Sequence, residues 1–254
     1  MTDWLFSQTI APSSIAATVG LAKEAGCGLL IRCGHEWGDP SRPLKNPPAR
    51  VQAIAEQCAA EGIPAGLWSW SHPDHLTAYF EAIDAASEGW RPAVFVSDVE
   101  HNAKRCPWKT HPLKRQLAEQ LIALHRETLD VPLVVTSYGA VHIHPTMPWA
   151  ELLQCGVTFG GQWQTVDRAL MERSKAVLRE LLGRDPMIEP CGGLQAEGST
   201  PKTPVELAAH MADLDAVFGE GPRSWWTIEL LKKAEQLAAV LRASVTMCEA
   251  QGLR

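Results

Sequence analysis

Along the chain, short apolar runs alternate with longer segments in which apolar residues recur every three or four positions. The short runs are typical of buried parallel strands, and the longer spacing, as at Leu117, Leu121 and Leu124, is that of helices. We predict strands at 4–7, 28–32, 65–71, 93–100, 133–137, 156–163, 187–190 and 224–230. We predict helices at 14–25, 48–61, 76–87, 112–129, 148–154, 167–182, 204–218 and 232–249.

The predicted helices follow the strands one by one and form eight strand-then-helix units. Gly26, Gly62 and Gly183 stand where three helices end, as expected of residues that leave a helix in the left-handed conformation. Each crossover is long enough to join parallel strands. We therefore predict a single domain over residues 1–254, an α/β protein with the (β/α)8 barrel of the TIM type.

The runner-up fold is an open doubly wound sheet, which often carries a glycine-rich phosphate turn after its first strand. Gly26-x-Gly28 precedes a strand instead of following one, and Gly192-Gly193 lacks the rest of such a fingerprint. No low-complexity segment or long linker divides the 254 residues. One barrel of about 250 residues therefore suits the chain better.

Composition and charge limit the classes of partner that the chain is expected to bind. The formal net charge of −6 and the pI near 5.8 leave no broad basic surface for nucleic acid or an anionic membrane. Residues 1–14 contain neither a basic stretch nor a long apolar run, so we expect no export signal, no membrane insertion and synthesis in the cytoplasm. If the substrate lies in a cell wall, another protein must release the chain to it. The sequence gives no reason to expect a cofactor.

The seven cysteines are odd in number and include no C-x-x-C pair. Several lie in apolar surroundings, so we interpret them as reduced core residues in a reducing compartment. They are Cys27, Cys33, Cys58, Cys106, Cys155, Cys191 and Cys248.

Candidate chemistry centres on the fourth predicted strand, which ends in Asp98-Val99-Glu100. Residues i and i+2 of a strand face the same way, with Cα atoms roughly 6.6 Å apart. Burying a carboxylate costs several kcal/mol unless something compensates it, so packing alone rarely explains two acids here. The alternative is a structural ion pair with Arg32 or His101.

Other polar residues fall near predicted strand ends, where barrel enzymes build their sites. They are His35, Glu36, Asp39, His72, Tyr138, Gln162, Glu189 and Glu229. Among the ten tryptophans, Trp68 and Trp70 share one strand face beside the acids, so they are the best candidates to stack on a sugar, although large aromatics more often belong to the core. Glu189 and Glu229 are equally well read as auxiliary acids or as structural groups.

Several short motifs resemble the Chalaropsis-type lysozymes, glycoside hydrolase family 25, and related lysozyme-like barrels. The family ends strand four in D-x-E, here Asp98-Val99-Glu100, and its strand-three G-x-Y-x-F pattern is similar to Gly66-Leu67-Trp68-Ser69-Trp70. Its strand-six W-x-A-x-Y is loosely similar to Phe159-Gly160-Gly161-Gln162-Trp163, and its loop after strand two is similar to the one that carries Glu36 and Asp39.

The resemblance implies a glycosidase that acts on an N-acetylated polysaccharide, most simply the peptidoglycan of a bacterial cell wall, as a phage endolysin does. It implies Glu100 as general acid, with Asp98 as the carboxylate that orients the acetamido group or acts directly. It implies a polysaccharide-binding surface formed by Trp68, Trp70, Glu36, Asp39, Tyr138, Gln162, Trp163 and Glu229.

Two other hypotheses remain. The family's strand-one Asp-Val-Ser is absent, with Trp4-Leu5-Phe6-Ser7 in its place, and its strand-eight Asp has at best Glu229 as a substitute. A catalytically inactive barrel that binds glycan, or is a structural part of a virion or assembly, would fit these departures. His142-x-His144 could belong to a metal-dependent hydrolase, although the pair lies in a proline-rich loop. No serine or cysteine lies in a nucleophile elbow.

Overall fold

The structure is a computed structural model that describes residues 3–100, 106–163, 167–194 and 202–226. Its eight strands pair in parallel and in sequence order, and β8 pairs with β1 to close the barrel. The predicted (β/α)8 fold is confirmed. The strands are Trp4–Phe6 (β1), Gly28–Arg32 (β2), Ala65–Trp70 (β3), Phe95–Asp98 (β4), Leu133–Tyr138 (β5), Val157–Gln162 (β6), Cys191–Gly193 (β7) and Ser224–Trp226 (β8).

The helices surround this barrel, and their ends follow the residues that the sequence offers. Gly62 and Gly183 end two helices at φ 71° and 61°, a conformation that costs glycine no steric strain. Thr203 and Glu206 form a reciprocal capping box at the start of the last described helix. The helices are Ile15–Glu24 (α1), Pro48–Glu61 (α2), Leu76–Ser87 (α3), Pro107–Thr110 (α4), Lys114–Thr128 (α5), Trp149–Leu152 (α6), Arg168–Leu182 (α7) and Pro204–Phe218 (α8).

Alternation along the strands divides their side chains between two cores. The outward side chains, such as Leu5, Ile31 and Phe95, pack against the helices in one large apolar cluster. The inward side chains fill the barrel, and large aromatic rings dominate there. Trp68 contacts the rings of Phe6, Trp70 and Trp226 with centroid separations of 5.1 to 5.5 Å. The barrel interior is therefore a packed core.

Glycines on the same inward face make room for the aliphatic side chains of neighbouring strands. A Cβ on Gly66 of β3 would lie 2.7 Å from Val94 Cγ1 and 2.8 Å from Leu30 Cδ2. A Cβ on Gly160 of β6 would lie 2.7 Å from Val134 Cγ1. Alternation of large and small side chains is how a closed barrel fills its interior.

One strand prediction is wrong. The seventh strand is Cys191–Gly193, not residues 187–190, because only Ile188 of the predicted segment pairs, as an isolated bridge to Phe159. Glu189 therefore precedes β7 and does not lie at a strand's C-terminal end. Its carboxyl lies close enough to Asp3, which precedes β1, for the two charges to repel each other.

The end of the chain lies largely outside the described residues. Residues 227–230 of the predicted eighth strand, the predicted helix 232–249 and Cys248 belong to that part. Within the described ranges the cysteines are free thiols, buried except for Cys155. None of the described helices is both long enough and apolar enough to cross a membrane.

Candidate active site

Asp98 is the last residue of β4 and lies inside the barrel at the C-terminal end. Its neighbours in the sheet register are Trp70 on β3 and Thr136 on β5. Only 3% of Asp98 is exposed. Its Oδ1 accepts the backbone N–H of Glu100 at 2.8 Å, and its Oδ2 accepts the side-chain N–H of Gln162 at 3.3 Å. The carboxyl is thus held from two sides by donors.

The environment of Asp98 favours its protonated form. Burial raises the pKa of this carboxyl well above its usual range, and the nearby charge of Glu100 raises it further. Hydrogen bonds from the Glu100 backbone and from the side chains of Gln162 and Trp70 oppose this shift. A pKa that is shifted by a specific environment is typical of functional carboxyls, so Asp98 is a candidate catalytic residue.

Glu100 reaches the same end of the barrel by a different route from the predicted one. The strand ends at Asp98, so alternation along a strand does not place Glu100. The hydrogen bond from its backbone to Asp98 turns the chain instead. Burial raises the pKa of the half-buried Glu100 carboxyl, while a backbone hydrogen bond from Tyr138 and the charge of Lys109 act to lower it.

Three predicted sugar-binding tryptophans are core residues. Trp68 is fully buried, and its indole N–H donates to the Ser7 carbonyl at 2.7 Å. Trp163 is fully buried outside the barrel, with its ring 5.2 Å from that of Phe218. Trp70 is 8% exposed and covered by Trp37, whose ring stacks at 4.8 Å. In this structure none of the three offers a free ring face to a sugar, because the barrel and its helices pack against them.

The loop after β2 satisfies its own charges. Glu36 lies 3.3 Å from the Lys45 ammonium. Asp39 accepts hydrogen bonds from the hydroxyl and the backbone N–H of Ser41, and these bonds hold the pKa of its carboxyl below its usual value. The predicted acids of this loop therefore have local structural partners, and Trp37 is the part-exposed aromatic that the loop places over Trp70.

Two other predicted residues do line the acid pair. Gln162, at the end of β6, donates to Asp98, and Tyr138, at the end of β5, donates from its backbone to Glu100. Glu229 lies outside the described residues, as does His101. Strand order explains this grouping, because β4, β5 and β6 are neighbours in the barrel.

The two loop histidines do not act together. Nδ1 of His142 lies 3.2 Å from the Ser174 hydroxyl on α7, whereas the buried ring of His144 contacts the Tyr138 ring. Burial lowers the pKa of His144 to about 4. Within the described ranges, no group of three or more His, Cys, Asp or Glu side chains could hold a metal ion.

Arg32 is the residue whose importance the sequence did not reveal. It ends β2 on the inward face, 3% exposed, and in the described part of the chain it forms no ion pair with Asp98 or Glu100. Its guanidinium lies 4.2 Å from the Trp70 ring centroid and 5.5 Å from that of Trp68. An arginine that closes an apolar strand, in phase with the inward residue Leu30, was the available clue.

Comparisons with known proteins agree on the architecture. No protein-family model and no curated protein sequence matches the chain. The chain is similar to the solved glycoside hydrolase domain of PgaB (BpsB) from Bordetella bronchiseptica, with a TM-score of 0.60, 10% identity, and 95% of this chain and 99% of that one covered. It is similar to concanavalin B, with a TM-score of 0.61, 11% identity and coverages of 96% and 98%.

A further similar structure is a D-psicose 3-epimerase from Clostridium cellulolyticum H10, with a TM-score of 0.54, 8% identity and coverages of 98% and 99%. At these identities the likeness shows the fold alone. One barrel architecture hosts many chemistries, so the function must be argued from the site. The class that fold and site define is a (β/α)8 barrel with two environment-shifted carboxyls at the C-terminal end of its fourth strand.

Proposed function

We propose that the chain is a glycoside hydrolase in which Glu100 is the general acid and Asp98 its partner. The observation that carries the proposal is the pair itself. Two carboxyls of raised pKa, one buried and one half-buried, lie at the C-terminal end of a (β/α)8 barrel, and the backbone N–H of Glu100 donates to the Asp98 carboxyl. Cleavage of a glycosidic bond needs such a pair, one group protonated and the other close by.

The two carboxyls would divide the reaction. Glu100, whose pKa burial raises, donates its proton to the leaving glycosidic oxygen as the bond to the anomeric carbon breaks. Asp98 orients the substrate's acetamido group, whose carbonyl oxygen attacks that carbon to form a cyclic intermediate. Water then opens the intermediate and returns a proton to Glu100. Gln162 holds Asp98 in place throughout.

Support for the substrate class comes from two sources. One of the similar solved structures is described as a glycoside hydrolase domain. The D-x-E motif and the strand-three pattern resemble those of the Chalaropsis-type lysozymes, which favours an N-acetylated polysaccharide such as peptidoglycan. The endolysin-like role is part of the same proposal and rests on that resemblance.

The test compares Glu100→Gln and Asp98→Asn with wild type on purified cell walls and on chitooligosaccharides. Glu81→Gln, an exposed acid on α3, is the matched control. We expect Glu100→Gln to reduce hydrolysis by about 100-fold or more, since a positioned acid contributes about that much. Equal hydrolysis rates for Glu100→Gln and wild type would contradict the assignment of Glu100 as the general acid.

A second candidate is a barrel that binds glycan without cleaving it, alone or within a larger assembly. The observation in its favour is the tight filling of the barrel by Trp68, Trp70 and Trp226, which leaves Asp98 with little exposed surface. Binding of chitooligosaccharides by the wild type, with no cleavage product detected by mass spectrometry, would favour this candidate over the enzyme.

A further inference from the structure

The side chain of Arg32 has an unsatisfied edge inside the barrel mouth. Its Nη1 donates to Oε1 of Gln8 at 2.9 Å. Its Nε and Nη2 are buried and have no hydrogen-bond partner among the residues that the structure describes. Buried donors are nearly always paired, and an unpaired charged one costs more than a neutral one. Two such donors on a single buried side chain indicate that a ligand completes the site.

Covalent geometry decides which ligand fits. Nε and Nη2 are the two nitrogens on the same outer edge of the guanidinium, so their N–H bonds run parallel. That edge is the one that binds the two oxygens of a carboxylate side by side. The third nitrogen, Nη1, is already used by Gln8. The two unpaired donors of this edge therefore match the two oxygens of one planar anion.

The described surroundings of Arg32 hold it in place, and none of their carboxylates forms an ion pair with it. The guanidinium stacks on Trp70 at 4.2 Å, and Trp37 stacks on Trp70 at 4.8 Å. One indole face has no room for both, so Trp70 lies between them. The charge of Glu36 reaches Arg32, but the Glu36 carboxylate is within ion-pair distance of Lys45 instead. Burial lowers the pKa of Arg32 only to about 10, so the side chain is still a cation at neutral pH.

The same tryptophan connects this edge to the acid pair. Trp70 on β3 pairs in register with Asp98 on β4. On its other side β3 pairs with β2, which ends in Arg32. Only one strand, β3, thus separates the strand that carries Arg32 from the strand that ends in Asp98. A monoanionic carboxylate suits the aromatic walls better than a phosphate dianion, because removing a larger charge from water costs more.

We propose that Arg32 binds a carboxylate of the substrate, and hence that the glycan contains a sugar with a free carboxylate, for which glucuronate is the probe, next to the bond that is cut. This inference rests on the proposed function, because it names the substrate of the same site. The ligand would reach the buried edge beside the part-exposed Trp37.

The experiment measures binding separately from cleavage. In the Glu100→Gln background, affinities are measured by calorimetry for an N-acetylated oligosaccharide that contains glucuronate and for the same oligosaccharide with the carboxyl converted to its methyl ester. We expect the acid to bind roughly 10- to 100-fold more tightly, as charged hydrogen bonds allow. Adding Arg32→Lys should remove most of this difference, since an ammonium keeps the charge but loses the paired N–H bonds.

Arg91→Gln is the control, because it removes one exposed positive charge at the other end of the barrel. It should leave the difference unchanged. If Arg32→Lys fails to fold, the protein that retains Arg32 is titrated with glucuronate instead, and the Arg32 Nε–H resonance is followed by NMR. A shift with glucuronate and none with its methyl ester supports the site.

Equal affinity for acid and ester, or no resonance shift with either, overturns the inference and leaves the glycosidase proposal intact. Competition by inorganic phosphate as effective as that by glucuronate overturns the carboxylate assignment in favour of a general anion site. If the acid binds through Arg32 but wild type cleaves no glycan, the proposed hydrolase fails while the anion site stands.

Discussion

Oδ1 of Asp98 accepts the backbone N–H of Glu100 at 2.8 Å, so one candidate acid fixes the position of the other. The bond forms where β4 ends, and it replaces the strand alternation that would otherwise orient Glu100. Asp98 therefore has two separable roles, a titratable carboxyl in the barrel and an acceptor for the turn. Substitutions at position 98 can remove one role without the other.

Asp98→Asn should preserve the turn, because an amide oxygen still accepts the Glu100 N–H. Asp98→Ala leaves that N–H without its partner, and we expect it to cost about 1–3 kcal/mol of unfolding free energy. The measurement is denaturant unfolding of both variants at pH 7, with hydrolysis rates in parallel. Equal stability of the two variants would show that the hydrogen bond does not hold the turn.

Glu189 gives a prediction for the pH dependence of stability. Burial and the nearby Asp3 raise the pKa of Glu189 from 4.5 to about 7. The folded state then binds more protons than the unfolded state between those values, so this group lowers stability as the pH rises from 4.5 to 7. Glu189→Gln should remove that slope and stabilise the protein above pH 7 by about 1–3 kcal/mol.

Unfolding by urea at pH 4.5 and at pH 7.5 checks this prediction. Glu180→Gln on α7 is the control, since Glu180 is exposed. We expect the difference in stability between the two pH values to shrink in Glu189→Gln only. A Glu189→Gln variant that is less stable than wild type at pH 7.5 would contradict the sign.

Gly66 tests the packing of the barrel interior. A Cβ there would approach Val94 Cγ1 and Leu30 Cδ2 to within 3 Å, and it would lie 3.0 Å from the Val94 carbonyl oxygen. We expect Gly66→Ala to destabilise the protein by about 1–3 kcal/mol through overpacking. Gly20→Ala on α1 is the matched control, because none of the described residues outside its own helix has an atom within 4 Å of its Cβ position. That change should stabilise by about 0.5–1 kcal/mol, and thermal unfolding of both variants measures the contrast.

Lys109 gives a prediction for the pH dependence of activity. Its charge lowers the pKa of Glu100, which burial raises. Removing the charge in Lys109→Met should raise the Glu100 pKa further and move the alkaline limb of the pH–rate profile to higher pH. Lys23→Met, at the surface ion pair with Glu61, should leave the limb where it is in wild type. A limb that stays in place in Lys109→Met would argue against Glu100 as the titrating acid.

The sequence by itself determined the (β/α)8 barrel and most element boundaries. Apolar runs followed by helical spacing, with Gly62 and Gly183 at helix ends, are local features, and α2, α3 and α8 have the predicted bounds. The short seventh strand was not predicted from these local features. Cys191–Gly193 contains two glycines and is recognisable only from its pairing with β6 and β8.

The sequence also placed Asp98 and Gln162 at the same end of the barrel, because strand ends gather at one edge of a parallel barrel. Only the tertiary structure decided which side chains are exposed there. It buried Trp68 and Trp163 in the two cores, gave Glu36 and Asp39 partners within their own loop, and left one edge of Arg32 unpaired. Strand periodicity tells which face a side chain is on, but burial and pairing depend on neighbours from distant parts of the chain, which no local pattern specifies.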